Sequence, residues 1–319
     1  MITSKSPRRV LLTAYHLGND ALPQYSSKFS RHDFTLPQLF ACLVLKEFEE
    51  KDYRGAEQLL LDCPEWCRAI DLTPHAPPDH TTLKRAADRL LRLPRARRLL
   101  DHLITFARAA KVLGTRVALA AMDASGFEAR HISAYFVRRR AKGGIARNEA
   151  KTQATTYRRF PKLALVVDTR THLALSFVTG VGPGPDHPHF DDALFDAWRR
   201  VTVRKLAADA GYDSEANHVL GRRDLGVRTL IPASIGRPTA KPPSGYWRRR
   251  MSHALRTERG RRHSGYTQRW QVETVNSMMK PNQGSALRAR RRQTRNRELA
   301  LRVLTHNLAL LRHEGRNRA

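Results

Sequence analysis

The 319-residue chain carries 58 Lys and Arg against 29 Asp and Glu, a formal net charge of +29, so an acidic partner is the first expectation. Hydrophobic residues make up 41% of the chain, too many for disorder throughout, and the length allows one sizeable domain with an appendage or two modest ones. No apolar run reaches the roughly 18 residues of a membrane span, the basic start from Met1 to Arg9 lacks the apolar core of a signal peptide, and Cys42, Cys63 and Cys67 are too few for a disulfide framework; membrane and secreted classes give way to a reducing cytosol.

From Thr35 onward, Leu36, Leu39, Phe40, Leu43, Val44 and Phe48 recur at steps of three and four, which lays an apolar stripe along a helix with Pro37 tolerated in its first turn. Further amphipathic stretches run over 55–62, 81–93 and 94–113, broken by the proline-rich segment 73–78. Residues 1–112 therefore read as a small all-helical unit. The character changes at Arg116. Val117 to Met122 is a short apolar run ending at Asp123, the mark of a buried strand. Leu163 to Val167 and Leu173 to Val178 are two more, joined by Asp168 to Thr171, short enough for a hairpin. Phe190, Ala193, Leu194, Ala197, Trp198 and Val201 give a helical stripe. Arg204 to Ala208 gives a fourth strand stopping at Asp209, Ser214 opens a helix and Val227 to Ile231 is a further strand. That order predicts an α/β fold with a mixed sheet covered by helices. Two stretches rich in Arg, Gly and Pro, 138–159 and 234–262, read as basic loops. A dense basic run from Arg288 leads into a last helix with Leu301, Leu304, Leu308 and Leu311 on one face.

The sharpest local pattern is Tyr266, Arg269, Glu273 and Lys280. On a helix at about 100° per residue these side chains project within about 60° of arc, away from Val272, Val275, Met278 and Met279. A carboxylate flanked by Arg and Lys suits a site that holds a divalent cation together with anionic phosphates; the same spacing also serves a solvated face with an i, i+4 Arg–Glu pair. Asp123 and Asp209 each close an apolar strand, and in such sheets sites form outside the carboxyl ends of strands. With Glu273 they would supply three hard oxygen donors, whose expected occupant is Mg²⁺ or Mn²⁺ and not zinc. Either aspartate would equally serve to cap a turn. Asp213 falls past Gly211, where the chain has left the strand, so Asp209 is preferred to it. Asp168 reads as a turn former, and Asp186, Asp191 and Asp192 as partners of a helix dipole. Cys63, Cys67, His75 and His80 are spaced too tightly for a zinc finger.

The Tyr-x2-Arg-x3-Glu-x6-Lys spacing of residues 266, 269, 273 and 280 resembles the signature helix of DDE transposases of bacterial insertion sequences, in the groups numbered four and five. The segment Ala-Asp-Ala-Gly-Tyr-Asp-Ser-Glu at 208–215 is similar to that family's second-aspartate block, Met122 to Ser125 to its first, and Pro78 to Leu83 to the helical domain ahead of its catalytic core. The likeness covers nearly the full chain. It implies a helical DNA-binding and dimerisation domain over 1–112, a ribonuclease H-like catalytic domain over 113–287 and a basic C-terminal helix over 288–319. The interval between Asp209 and Glu273 is too short for a large inserted β-domain.

By the same resemblance, Asp123, Asp209 and Glu273 would be the catalytic carboxylates, binding two Mg²⁺ or Mn²⁺ ions. The activity would be nicking at transposon ends followed by strand transfer into target DNA. Arg269 and Lys280 would hold phosphates, Tyr266 would meet the backbone or a displaced base, and Trp247 would stack on an unpaired base. Arg138, Arg139 and Arg140, with Arg248, Arg249 and Arg250, read as phosphate contacts that add affinity without sequence choice. The implied partners are double-stranded DNA, as terminal inverted repeats and as target, and a second copy of the chain, in the cytoplasm at the nucleoid. The competing expectation is a DNA-binding derivative of a transposase without turnover.

Overall fold

Side-chain caps set most helix starts in the N-terminal third. Ser6, Thr35 and Asp52 each accept a first-turn backbone N–H of α1 (Pro7–Ala21), α2 (Leu36–Phe48) and α3 (Tyr53–Asp62). Thr35 and Gln38 form a reciprocal capping box, at 3.3 and 2.8 Å. α4 (Pro64–Ala69) begins at a proline, Asp79 caps α5 (His80–Leu90), and α6 (Leu93–Ala109) follows. α1 and α2 approach closely at Gly18, where an added Cβ would stand 2.9 Å from Pro37 Cα. The structure, a computed structural model, describes residues 4–129, 160–234, 243–284 and 286–314. The basic stretch expected at 138–159 lies outside them.

The sheet elements begin with β1 (Arg116–Val117), β2 (Ala120–Gly126) and β3 (Glu128–Ala129), followed by the hairpin of β4 (Phe160–Asp168) and β5 (Ala174–Gly182). α7 (Phe190–Arg200) crosses back to β6 (Thr202–Val203) and β7 (Lys205–Ala208). The short α8 (Glu215–Val219) then leads to β8 (Arg228–Leu230). The main sheet runs β5-β4-β2-β7-β8, antiparallel across the first three strands and parallel across the last three. This is the expected mixed sheet covered by helices. One detail differs from the sequence reading: β2 continues past Asp123 to Gly126. β4 pairs with it along its whole length, Gly126 opposite Lys162, whereas the parallel ladder to β7 stops at Met122 and Ala208.

The segment expected as a basic loop at 234–262 carries α9 (Tyr246–Ala254) and α10 (Glu258–Ser264). Periodicity missed α9 because polar contacts hold it. Glu215 accepts the backbone N–H of Trp247 and of Arg248, both at 3.1 Å, while Met251 is its buried apolar residue. A second correction concerns residues 266–280, which are not one helix. Gly265, in the left-handed region at φ 87°, ends α10; Tyr266–Arg269 forms a 3-10 turn, and α11 (Trp270–Gln283) starts after it.

Beyond β9 (Ala286–Leu287), α12 (Arg292–Glu314) was expected to be apolar on one face, yet every residue from Leu299 to Leu311 is buried. α1, α2, α6, β4, β5 and α11 all pack on it, and one apolar core runs from Val10 to Leu311. Several of its polar residues find partners within that core, whereas the buried Thr305 hydroxyl has none among the described residues. Asn307 bonds both the N–H and the C=O of Ala174 at 2.8 Å. Arg302 donates to Glu47 at 3.0 Å, to Glu298 at 3.2 Å and to the carbonyls of Gly284 and Ala286. No helix among the described residues is long and apolar enough to cross a membrane.

Removing one member of a buried ion pair strands the other's charge. Arg302→Met is therefore expected to lower the unfolding free energy by about 3 kcal/mol or more, whereas the same change at exposed Arg290 should stay within about 0.5 kcal/mol. Urea titration of the two variants measures the difference.

Candidate active site

Strand register brings two of the sequence-selected carboxylates together. Met122 and Ala208 are partners in the parallel β2–β7 pair, so Asp123 and Asp209 each follow directly on a paired residue at its end. Asp209 keeps extended backbone at φ −78° and ψ 176°, and its Oδ1 accepts the Gly211 N–H at 2.6 Å. The turn-capping role and a place beside Asp123 thus coexist in one residue.

α11 supplies the third carboxylate by running along β2 in the same direction. Gly265, ahead of the helix, faces Leu119, and Lys280, near its far end, lies over the Phe127 ring at 5.4 Å. Val272, Val275 and Met279 are buried against the sheet, which leaves Glu273 exposed between those two ends. Its charge acts on Asp123, as does that of Asp209. Burial, reinforced by these two carboxylates, pushes the Asp123 carboxyl up to about 6, with the Ala124 N–H and Arg269 working the other way. Arg269 pairs with Glu273.

Three more groups stand here that sequence reasoning passed over. Asp186, assigned to a helix dipole, pairs instead with the buried Lys162, which also donates to the Gly184 carbonyl at 2.8 Å. Asp186 flanks the Asp209 turn, since a Cβ added at Gly211 would lie 3.5 Å from its Oδ2 and 2.9 Å from Asp209 Oδ1. Tyr212 is fully buried, its hydroxyl without a hydrogen-bond partner among the described residues. Burial raises its phenol, and the charges of Asp186, Asp123 and Asp209 raise it further. Tyr212 was visible in the sequence as the residue after Gly211. Asp186 was not, because only the sheet order returns the end of β5 to this spot.

The other selected residues divide. Tyr266 is half-buried, packed on Ala207, Leu230 and Met251. Trp247 is half-buried with the Arg222 guanidinium 4.5 Å from its ring centroid and Tyr246 edge-on at 4.8 Å, so one face is already covered. Arg248 is committed to Asp213, donating from Nε and Nη2 at 2.6 to 3.0 Å; it is not a free phosphate contact. Asp213 also accepts the Ser234 N–H, which occupies it away from Asp209. Arg249 and Arg250 are exposed, and Arg138, Arg139 and Arg140 lie outside the described residues.

A sequence model of the family described as Transposase DDE domain matches residues 118–308, more than half of the chain. The chain belongs to this transposase family. No curated protein matches the sequence. The matched span opens two residues before β2 and includes Asp123, Asp209 and Glu273. Among the described residues of this transposase chain, no three His, Cys, Asp or Glu side chains are drawn together in an arrangement that holds a metal ion. Glu273 is paired with Arg269, and Asp209 accepts the Gly211 amide.

An unfolded aspartate titrates at about 3.9, so the raised Asp123 value means that the folded chain holds this proton more tightly. Stability from this group is full below about pH 4 and is lost as pH rises to about 6. In the absence of divalent cations, Asp123→Asn should leave stability unchanged near pH 4 and raise it at pH 8 by up to about 3 kcal/mol, two units at 1.4 kcal/mol each. Denaturant midpoints at the two pH values provide the check.

Proposed function

We propose that this member of the transposase family cuts DNA at the ends of an insertion sequence of group four or five and joins those ends to target DNA. Asp123, Asp209 and Glu273 are the working carboxylates of a ribonuclease H-like core. The observation that carries the reading is the Met122–Ala208 register, which sets two aspartates from distant parts of the chain beside each other at the end of a parallel strand pair. The strand order β5-β4-β2-β7-β8, three antiparallel then parallel, supports the core assignment.

The donor set fits hard divalent cations. All three donors are carboxylates, and the Asp123 carboxyl, raised first by burial and then by the charges of Asp209 and Glu273, would have its ionised form favoured by a cation. Asp123, Asp209 and Glu273 would hold two Mg²⁺ or Mn²⁺ ions, which when bound supply Lewis acidity for the attacking and leaving oxygens of a phosphodiester. The chain's own groups do the rest. Arg269, now on Glu273, is placed to take a phosphate once that carboxylate is engaged elsewhere. Lys280 holds its ammonium over the Phe127 ring, just past the end of the strand that carries Asp123. The Tyr266 phenol, raised by burial and opposed by Arg269, stays protonated at neutral pH and donates a hydrogen bond to the DNA backbone. Two copies acting together would bring two ends to one target.

Supercoiled plasmid bearing the element's ends, incubated with the full-length chain and Mg²⁺, should be nicked at the element boundary. Asp209→Asn and Glu273→Gln should each lower that rate by about a thousandfold or more, in the range of lost electrostatic stabilisation at a transition state, with duplex affinity kept. In parallel, Mn²⁺ should raise the thermal midpoint of the parent chain and not that of Asp209→Asn. Wild-type nicking rates in both variants would overturn the site. Duplex binding without nicking by the parent chain would favour the non-catalytic derivative.

A further inference from the structure

The first turn of α11, which carries Glu273, is entered without a capping side chain: Arg269 stands at its N-cap, and no side-chain oxygen there accepts the first amides. A polar anchor comes from the β4–β5 turn instead. Gln271 Oε1 accepts a hydrogen bond from His172 Nε2 at 2.6 Å, and Gln271 Nε2 donates to Gln268 Oε1 at 3.2 Å. The ring proton of His172 therefore sits on Nε2, and its Nδ1 is buried with no partner among the described residues.

The turn that presents His172 is itself held from several sides. His172 lies in the left-handed region at φ 60°, uncommon for a residue with a side chain. Its N–H donates to the Asp168 carbonyl at 2.9 Å, and its carbonyl accepts the Nε2–H of His306, a buried residue of α12, at 3.1 Å. The buried Asp168 carboxylate accepts the Thr171 N–H at 3.2 Å and its hydroxyl at 2.7 Å. Thr169 donates from its N–H at 3.2 Å and from its hydroxyl at 2.8 Å to the carbonyl of Leu119, the residue directly ahead of β2.

On the reading of the chain as a DNA-cutting transposase, we propose that His172 is a positioning residue: through Gln271 it fixes the roll of α11 about its axis, and with it the approach of Glu273 to Asp123. Val272 is buried against the sheet, and at about 100° per residue Gln271 and Glu273 fall on either side of it. A roll that frees Gln271 therefore swings Glu273. On a helix about 5–6 Å in radius, a roll of about 10° moves a side-chain end by about 1 Å, enough to cost on the order of a hundredfold in rate. The Arg269–Glu273 pair cannot supply this hold, because it must open for Glu273 to take a cation. The His172–Gln271 bond survives that exchange. Through Thr169 the same turn is bonded to the start of β2, so one turn sets a reference for both carboxylate-bearing elements.

The test uses the full-length chain, plasmid nicking with Mg²⁺, and backbone hydrogen exchange without any divalent ion. His172→Asn keeps a residue that tolerates positive φ but is too short to reach Gln271, and Gln271→Leu removes the acceptor from the other side. Each should lower kcat by about 10- to 100-fold with KM for plasmid unchanged, and the double variant should lose no more than the single ones. His172→Gln, which returns a donor near the Nε2 position, should recover most of the rate. In the metal-free chain, exchange at residues 266–275 should quicken in the first two variants and slow again in His172→Gln, while the sheet strands keep the parent's protection. Parent-like kcat or exchange in both single variants, with the parent still nicking, would overturn the positioning role and leave the catalytic reading standing. So would losses that multiply in the double variant, or exchange that quickens throughout the sheet, which marks a merely structural bond. A parent chain that does not nick overturns the catalytic reading itself and reduces the His172–Gln271 bond to a packing contact.

Discussion

The parallel pairing of β2 with β7 in one register is the constraint on which the rest depends. It is a backbone arrangement, held by main-chain hydrogen bonds and by Ala121, Met122, Ala207 and Ala208, all buried. A slip by one residue would turn these side chains to the other face and separate the aspartates. Asp123 follows directly on that pairing and is itself largely withdrawn from water. Burial first, and the charges of Asp209 and Glu273 after it, make the Asp123 carboxyl hold its proton to about pH 6.

What keeps this arrangement rigid lies on the other side of the molecule. α12 threads the core between the N-terminal helices and the β4–β5 hairpin, and Asn307 stitches it to Ala174 on β5. Arg302, on the same helix, ties Glu47 of α2 to the carbonyls just after α11, and its guanidinium lies 5.5 Å from the Phe127 ring. Lys280 covers the same ring. The helix that carries Glu273 and the strand that carries Asp123 are thus fixed together at their far ends by one buried cation.

Much of this was legible in the sequence because it rests on local signals. The apolar runs at β4, β5 and β7 and the helical stripes of α2 and α7 are periodic, and the structure has each of them within a few residues. The acidic residues were legible as strand-end and helix positions. Their adjacency was not, since register is a relation between strands that no window contains. α9 escaped notice because Glu215 caps it from another segment, and Arg248 looked free because Asp213 is 35 residues away. α12 showed leucines on one face, yet its buried polar residues have partners on α2, β5 and the α11 terminus, which hydropathy cannot register. The 3-10 turn at 266–269 follows from the left-handed Gly265, so the four spaced side chains reach the site from two elements instead of one helix face.

Several acidic groups gathered in one place require compensation, and each has found a different one. Asp123 does so by proton affinity, Glu273 by Arg269, Asp209 by the Gly211 amide and Asp186 by Lys162. These partners differ in how readily they yield. A proton leaves as pH rises, and an exposed Arg–Glu pair contributes little to stability and opens at small cost. Lys162, buried and bonded to Gly184 as well, is held far more firmly. On the proposed reading this ordering has a function. Asp123 and Glu273, two of the three carboxylates that would accept a cation, have present partners that yield readily, whereas Asp186 stays paired with Lys162 of β4 beside the Gly211 turn.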